Sequence, residues 1–126
     1  MKYFLILMLL ITTNIYSQEI NDKVYNSSEV DEKPDFKGGI EKFFKFIGKN
    51  FKVPEKEGLN GKIIVEFIIE QDGSITNIDI IQDIGFGCAE ETIRLLNICP
   101  KWKPGKKNGE IVRTLYKLPI TIKSGK

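Results

Sequence analysis

The chain has 126 residues, with 19 basic residues, 17 acidic residues and a formal net charge of +2. This length indicates one domain, and so balanced a charge predicts no nucleic-acid partner, because phosphate-binding domains concentrate a basic excess. Histidine is absent, which excludes catalysis by a histidine base and histidine-ligated zinc. Two cysteines cannot form a four-thiolate zinc site. We therefore predict no enzyme activity, no cofactor and no metal site.

Residues 1–17 are predicted to be a signal peptide. Lys2 precedes an apolar run from Tyr3 to Ile11, and Ser17 offers a small residue before a cleavage site. A charged start, a short apolar core and a small residue before the cut are typical of secretory signals. The core is shorter than the ~20 residues that span a bilayer as a helix. We expect an exported protein, with an uncleaved inner-membrane anchor as the alternative.

Residues 18–35 are predicted to form a flexible acidic tether. They contain six acidic residues, two lysines and few apolar side chains. Such a segment buries too little apolar surface to offset the entropy that is lost on ordering. We therefore expect it to be solvated.

Two helices are predicted in the folded part, residues 36–123. Helix one, about Gly39 to Asn50, has an apolar stripe at helical spacing, which consists of Ile40, Phe43, Phe44, Ile47 and Phe51. We assign this stripe to the core. Helix two, about Ala89 to Cys99, ends at Pro100. The residues expected to face the core from helix two are Ile93 and Leu96, with Leu95 and Cys99 as further candidates.

A hairpin is predicted between the two helices. Strand one covers Lys62 to Glu70, strand two covers Ser74 to Gln82, and Asp72–Gly73 lies between them. Asp-Gly between two β-rich segments is typical of a type I′ turn. The register of that turn pairs Ile69 with Thr76, Phe67 with Ile78, and Val65 with Ile80. It also places Glu66 opposite Asp79, which is unfavourable without basic neighbours.

Strand three, about Ile111 to Ile122, completes the predicted sheet. Helix two returns the chain, so strand three lies parallel to strand two on the other side of strand one. The predicted fold class is α+β in the order α-β-β-α-β, a three-stranded antiparallel-type sheet (order 2-1-3) with two helices on one face. Strand three is then an edge, which suits Pro119 because proline has no N–H. Arg113 and Lys117 are expected to neutralise the opposed acids of the hairpin.

The chain from Asp35 to Lys123 resembles the C-terminal domain of TonB, the energy transducer of Gram-negative outer-membrane transport. The resemblance lies in PDFKGG before helix one, in the hairpin GKIIVEFIIEQDGSITNIDII, and in CPKWKPGKKNGEIVRTLYKLPITI. The WKPG element (Trp102–Gly105), followed by an Asn-Gly turn and a strand that ends in LPI, is its most specific part. Such domains bind the TonB box, a short extended segment of a TonB-dependent outer-membrane transporter, which adds a strand to the edge of the sheet. The resemblance therefore implies a periplasmic binding module.

Strand three supplies the candidate peptide-binding residues that this resemblance implies. They are Val112, Arg113, Thr114, Leu115, Tyr116 and Lys117. Ordinary sheet packing is the alternative for all six residues and is favoured for Val112 and Tyr116, while charge balance is a further alternative for Arg113 and Lys117. Residues 101–126 hold eight basic residues against Glu110 alone, which would attract an acidic partner or form a solvated basic loop.

Homodimer formation is an alternative function to peptide binding. The same edge would serve an assembly protein that forms a homodimer without energy transduction. Full-length TonB has a histidine-bearing membrane helix and a long Pro-rich spacer that this sequence lacks, so we do not expect direct coupling to the inner-membrane proton motor.

The third hypothesis is an enzyme that uses the Cys88 thiol. Cys88 lies near the start of helix two, where a thiolate is favoured. On one helix Cys88 and Cys99 are separated by about 16 Å at 1.5 Å per residue, which is too far for a disulfide.

Overall fold

The computed structural model describes residues 22–124. The elements in chain order are β1 (Val24–Asn26), α1 (Ile40–Asn50), β2 (Asn60–Ile69), β3 (Ile75–Gln82), α2 (Cys88–Ile98), β4 (Gly105–Lys107) and β5 (Glu110–Lys123). Both predicted helices and all three predicted strands are present. The predicted signal segment, residues 1–17, lies outside the described residues. Within the described range no helix is both long enough and apolar enough to cross a membrane.

The sheet is mixed, with the strand order β1-β5-β2-β3 and β4 as an additional partner of β5. Strand β2 is antiparallel to both β3 and β5, which confirms the predicted neighbours of the three long strands. The prediction of a three-stranded sheet with β5 at its edge is wrong, because β1 pairs with β5 in parallel. The fold class is α+β, as predicted.

The segment that precedes α1 is paired with the rest of the domain. Residues 24–35 lie within the segment that we predicted to be a flexible tether, yet β1 pairs with β5, and two bridges connect Glu32 with Lys106 and Asp35 with Lys103. Composition shows only that few apolar side chains are available in this segment. Main-chain hydrogen bonds to a distant and basic part of the chain, together with the buried side chain of Val30, hold it.

One core joins the two helices to the same face of the sheet. Trp102 is 3% exposed, and its ring centroid lies 4.9 Å from that of Phe43, 5.8 Å from Phe67 and 5.5 Å from Tyr116. Aromatic pairs at these separations add to the stabilisation from burial. The tryptophan of the WKPG element is therefore the centre of the core.

The two helices are rotated relative to the prediction. Helix α1 buries Phe43 and Ile47, whereas Ile40 is 37% exposed and Phe44 is 51% exposed. Helix α2 buries Leu95 and Leu96, but Ile93, which was predicted to face the core, is 36% exposed. Periodicity identifies the apolar residues that share one side of a helix, while tertiary packing decides which of them are buried in the core.

The tip of the β2–β3 hairpin also differs from the prediction. The Gly73 N–H donates to the Glu70 carbonyl at 2.9 Å and the Glu70 N–H donates to the Ser74 carbonyl at 2.8 Å. Gly73 has φ 87°, and Asp72 is not among the residues with positive φ. A type I′ turn needs positive φ at both central residues, so the connection is a three-residue loop that ends in a left-handed glycine.

This loop changes the register near the tip. Ile69 pairs with Ile75, so the predicted pair with Thr76 is wrong. A bulge then restores the predicted pairs Val65–Ile80 and Glu66–Asp79, while the predicted pair Phe67–Ile78 is lost within it. Asn77, with φ 51°, lies in this bulge, and asparagine tolerates the left-handed conformation better than most residues.

Candidate functional site

The candidate site is the side of β5 that faces away from β2, which we call the outer edge. Strand β1 pairs with residues 113–115 along this edge. The Ser27 N–H donates to the Leu115 carbonyl at 3.0 Å. Half of the predicted peptide-binding segment is therefore already paired with another part of the same chain.

Beyond Leu115 the outer edge is open. Backbone groups alternate between the two sides of a strand, so those of Lys117, Pro119 and Thr121 face the same side as the Leu115 carbonyl. Within residues 22–124 no strand pairs with the outer side of β5 beyond Leu115. We call residues 117–123 the open outer edge. The N–H that proline lacks would point outward here, which agrees with the prediction that Pro119 suits an edge.

The six predicted site residues are divided between the two faces of β5. Val112 and Thr114 are buried, at 4% and 0% exposure, and Tyr116 packs against the core, where burial raises the pKa of its hydroxyl. The side chains of Arg113, Leu115 and Lys117 alternate with them and lie on the opposite face of the sheet. The structure therefore supports the packing interpretation for the side chains of Val112 and Tyr116.

Arg113 is held by contacts within the chain. Its Nε donates to Glu70 Oε1 at 2.6 Å and its Nη2 to Glu70 Oε2 at 3.1 Å, while its Nη1 donates to the Asp22 carbonyl at 2.8 Å. These guanidinium hydrogen bonds are the main reason that the pKa of Glu70 is lowered from its usual value. The predicted pairing of Arg113 with the opposed acids of the hairpin is wrong. Lys117 does lie opposite Glu66 in the β2–β5 register.

Two concave surfaces lie along the open outer edge. A cavity of about 220 Å³ begins where β1 ends, and its lining residues are Asn26, Ser27, Glu66, Leu115 and Lys117. A groove of about 460 Å³ lies between α1 and β5, and its lining residues are Phe44, Ile47, Gly48, Lys62, Pro119, Ile120 and Thr121. Sequence reasoning assigned Phe44 to the core and did not find this groove. Pro119 was the one signal that pointed to this end of β5.

Strand β3 also has a free edge in the described range, and its backbone is irregular. It pairs only with β2, and the pairing has register shifts between Ile64 and Val65 and between Glu66 and Ile68. Bulges bend a strand and disturb the spacing that an added strand would need. Of the two edges, β5 is therefore the better template.

The surroundings of the two cysteines do not favour a thiolate. Both are free thiols, and α2 runs continuously between Cys88 and Ile98, with Cys99 directly after it. Burial is the main cause that raises the pKa of Cys88, which opposes the thiolate expected at a helix start. The Trp102 indole N–H donates to Cys99 Sγ at 3.1 Å. No group of three potential metal ligands occurs within residues 22–124.

Comparison with known families gives the chain its family. No curated protein matches the chain. The family model described as "Gram-negative bacterial TonB protein C-terminal" matches residues 52–123, more than half of the sequence. This family is a non-catalytic domain associated with transport, typically periplasmic, and it generally interacts with outer-membrane transporters. The chain therefore belongs to the TonB C-terminal domain family.

Proposed function

We propose that this chain is an exported, periplasmic peptide-binding module. In this proposal a TonB box of a TonB-dependent outer-membrane transporter adds a strand to the outer edge of β5. Main-chain hydrogen bonds supply the affinity in this binding mode, and pockets for alternate side chains supply the specificity.

The observation that carries the proposal is the open outer edge. Strand β5 has 14 residues, its register with β2 is continuous over ten pairs, and β1 covers only three of its residues on the other side. The remaining outward N–H and C=O groups are a template for another strand. Lys117 offers the first outward N–H beyond the β1 pairing.

The surroundings of this edge favour an extended peptide with apolar and acidic side chains. The groove between α1 and β5 exposes the Phe44 ring, which is 51% exposed. Lys117 and Lys123 are exposed at the two ends of the open outer edge. An apolar side chain would bury surface in the groove, and acidic side chains would be attracted by the lysines.

The test is an NMR titration of the full chain with synthetic TonB-box peptides. Chemical-shift changes along β5 and the groove, with none along β3, are the expected result. No change along β5 across a panel of such peptides would contradict the proposal. Concentration-dependent sedimentation without peptide would instead favour the homodimer that uses the same edge.

A matched pair of variants separates the backbone from the side chain. Lys117→Pro removes an outward N–H, so it is expected to weaken peptide binding by about tenfold, which corresponds to about one hydrogen bond. Lys117→Ala keeps the N–H and removes only an exposed charge, so a smaller loss is expected. Equal losses in the two variants would contradict strand addition at this position. A thermal melt of each variant checks that it folds.

A further inference from the structure

The segment before α1 consists of two parts that differ in how firmly they are held. Residues 30–36, which we call the anchor, include two buried side chains, Val30 at 9% and Phe36 at 6% exposure. The anchor also forms two bridges, one to Lys106 in β4 and one to Lys103 just before it, and Asp31 Oδ2 accepts a hydrogen bond from the Asn108 N–H at 2.6 Å. Phe36 belongs to the main core cluster.

Residues 22–27, which we call the cover strand, include β1 and make weaker contacts. Val24 and Tyr25 are only half-buried, and no residue of the cover strand is part of the core cluster. The hydrogen bond from Ser27 to Leu115 joins two partly exposed residues, and the one from Arg113 to the Asp22 carbonyl is exposed. Segments with few buried contacts and exposed hydrogen bonds open at low free-energy cost while the rest of a fold stays intact.

A tight turn connects the cover strand to the anchor. The Glu29 N–H donates to the Asn26 carbonyl at 2.9 Å, and the Asn26 side-chain oxygen accepts from the Ser28 N–H at 3.2 Å. This turn lets the cover strand leave β5 while the anchor remains in place. It also keeps the cover strand close to its site at an effective concentration on the order of millimolar.

We propose that the cover strand is a built-in competitor for the peptide-binding edge. This inference rests on the proposed function, because it concerns access to the same site. In this proposal the TonB box extends from the open outer edge along β5 to residues 113–115, where it needs the outward groups that β1 uses, so both strands cannot bind there together. The peptide therefore displaces the cover strand. The fraction of molecules in which the cover strand is paired with β5 lowers the apparent affinity of the chain for the peptide.

A disulfide that locks the cover strand tests the competition directly. Asn26 and Leu115 are neighbours in the parallel register, and adjacent strands lie about 4.8 Å apart, within the range that a disulfide spans. In the full chain with Asn26→Cys and Leu115→Cys, we expect the oxidised form to bind a TonB-box peptide at least tenfold more weakly than the reduced form. The same molecules after reduction are the control, and mass spectrometry of tryptic fragments verifies the bridge.

The outcomes distinguish the two proposals. Equal affinity of the oxidised and reduced forms overturns the competition and leaves the peptide-binding function standing. No binding by the oxidised form, the reduced form and the unmodified chain overturns the proposed function, and the competition with it.

A second test weakens the pairing of the cover strand without altering β5, and it uses one variant and one matched control. Because the Ser27 N–H faces β5, the alternation of the backbone places the Tyr25 N–H on the same side. Tyr25→Pro is therefore expected to tighten peptide binding about three- to tenfold, since the open fraction rises. Val24→Pro is the control, because its N–H faces away and the first residue of a strand tolerates proline. A Tyr25→Pro chain that binds no more tightly than the Val24→Pro chain overturns the competition.

Discussion

Strands β3 and β5 each leave backbone groups unpaired on one side in the described residues, and they limit the addition of another strand in different ways. Strands β3 and β5 both pair with β2 and run in the same direction. Strand β3 is uncovered in the described residues, but its pairing is interrupted by two register shifts. Strand β5 is regular along β2, and part of its outer edge is covered by β1. An irregular backbone disfavours an added strand at all times, whereas under the proposed competition the cover strand can leave, so β5 alternates between closed and open.

The largest expected effect is a loss of stability at a glycine in the loop between β2 and β3. At Gly73, in the β2–β3 loop, an added Cβ would lie within 2.1 Å of the Trp102 carbonyl oxygen, and φ is +87°. Gly73→Ala is therefore expected to lower the free energy of unfolding by about 2–4 kcal/mol, from left-handed strain and overpacking. Urea unfolding measures this loss.

Gly109, in the β4–β5 turn, is the matched control. It also has positive φ, at +79°, but an added Cβ would meet nothing within 4 Å. Gly109→Ala is expected to cost only about 1 kcal/mol. Equal losses at the two glycines would show that the contact with Trp102 does not set the cost.

The next effect concerns the bulge that makes β3 irregular. Asn77 has φ 51°, a conformation that is unfavourable for β-branched residues. Asn77→Val is expected to destabilise the fold by about 1–2 kcal/mol, and Asn77→Gly by much less. Thermal unfolding of both variants tests this, and an unchanged Asn77→Val chain would contradict the role assigned to the bulge.

A smaller effect is expected at the ion pair between β2 and β5. The pKa of Glu70 is lowered from 4.5, chiefly by its hydrogen bonds to Arg113. Since the folded pKa lies below the unfolded value, the ionised carboxylate stabilises the fold above pH 4.5, and this contribution is lost as the pH falls through the folded pKa. Glu70→Gln is expected to cost about 1 kcal/mol at neutral pH. Unfolding curves measured towards acid pH should converge with those of the unmodified chain.

The smallest effect is expected at an exposed side chain of β3. Ile81 is 49% exposed, so Ile81→Thr is expected to change stability by less than about 0.5 kcal/mol. Peptide affinity should also be unchanged, because β3 is not the proposed site. A marked loss of binding, measured by calorimetry, would indicate that the peptide binds to β3 and would contradict the proposed site on β5.

The sequence predicted the parts of the fold that depend on local pattern. Alternation and turn signals placed β2, β3 and β5 in the correct order, and Pro119 lies in the part of β5 that has no strand on its outer side within residues 22–124. The pair Glu66–Asp79 also followed from counting along the hairpin. These features depend on nearby residues or on topological rules that apply to most sheets.

The features that the sequence did not predict depend on distant contacts. Strand β1 is held by main-chain bonds to residues about 90 positions later in the chain, and no composition argument detects such bonds. The exposure of Phe44 depends on the rotation of α1 against Trp102. The partner of Arg113 depends on where β2 ends, because Glu70 follows the last residue of that strand.

Trp102 gives the domain an internal optical reporter. It is the only tryptophan of the chain, its ring is buried, and its indole N–H and backbone N–H bond to Cys99 and Gly73. Its ring also lies 5.5 Å from that of Tyr116 on β5. Fluorescence excited at the red edge of indole absorption therefore originates from one site, so a shift in emission reports on the packing beneath β5 without any attached dye.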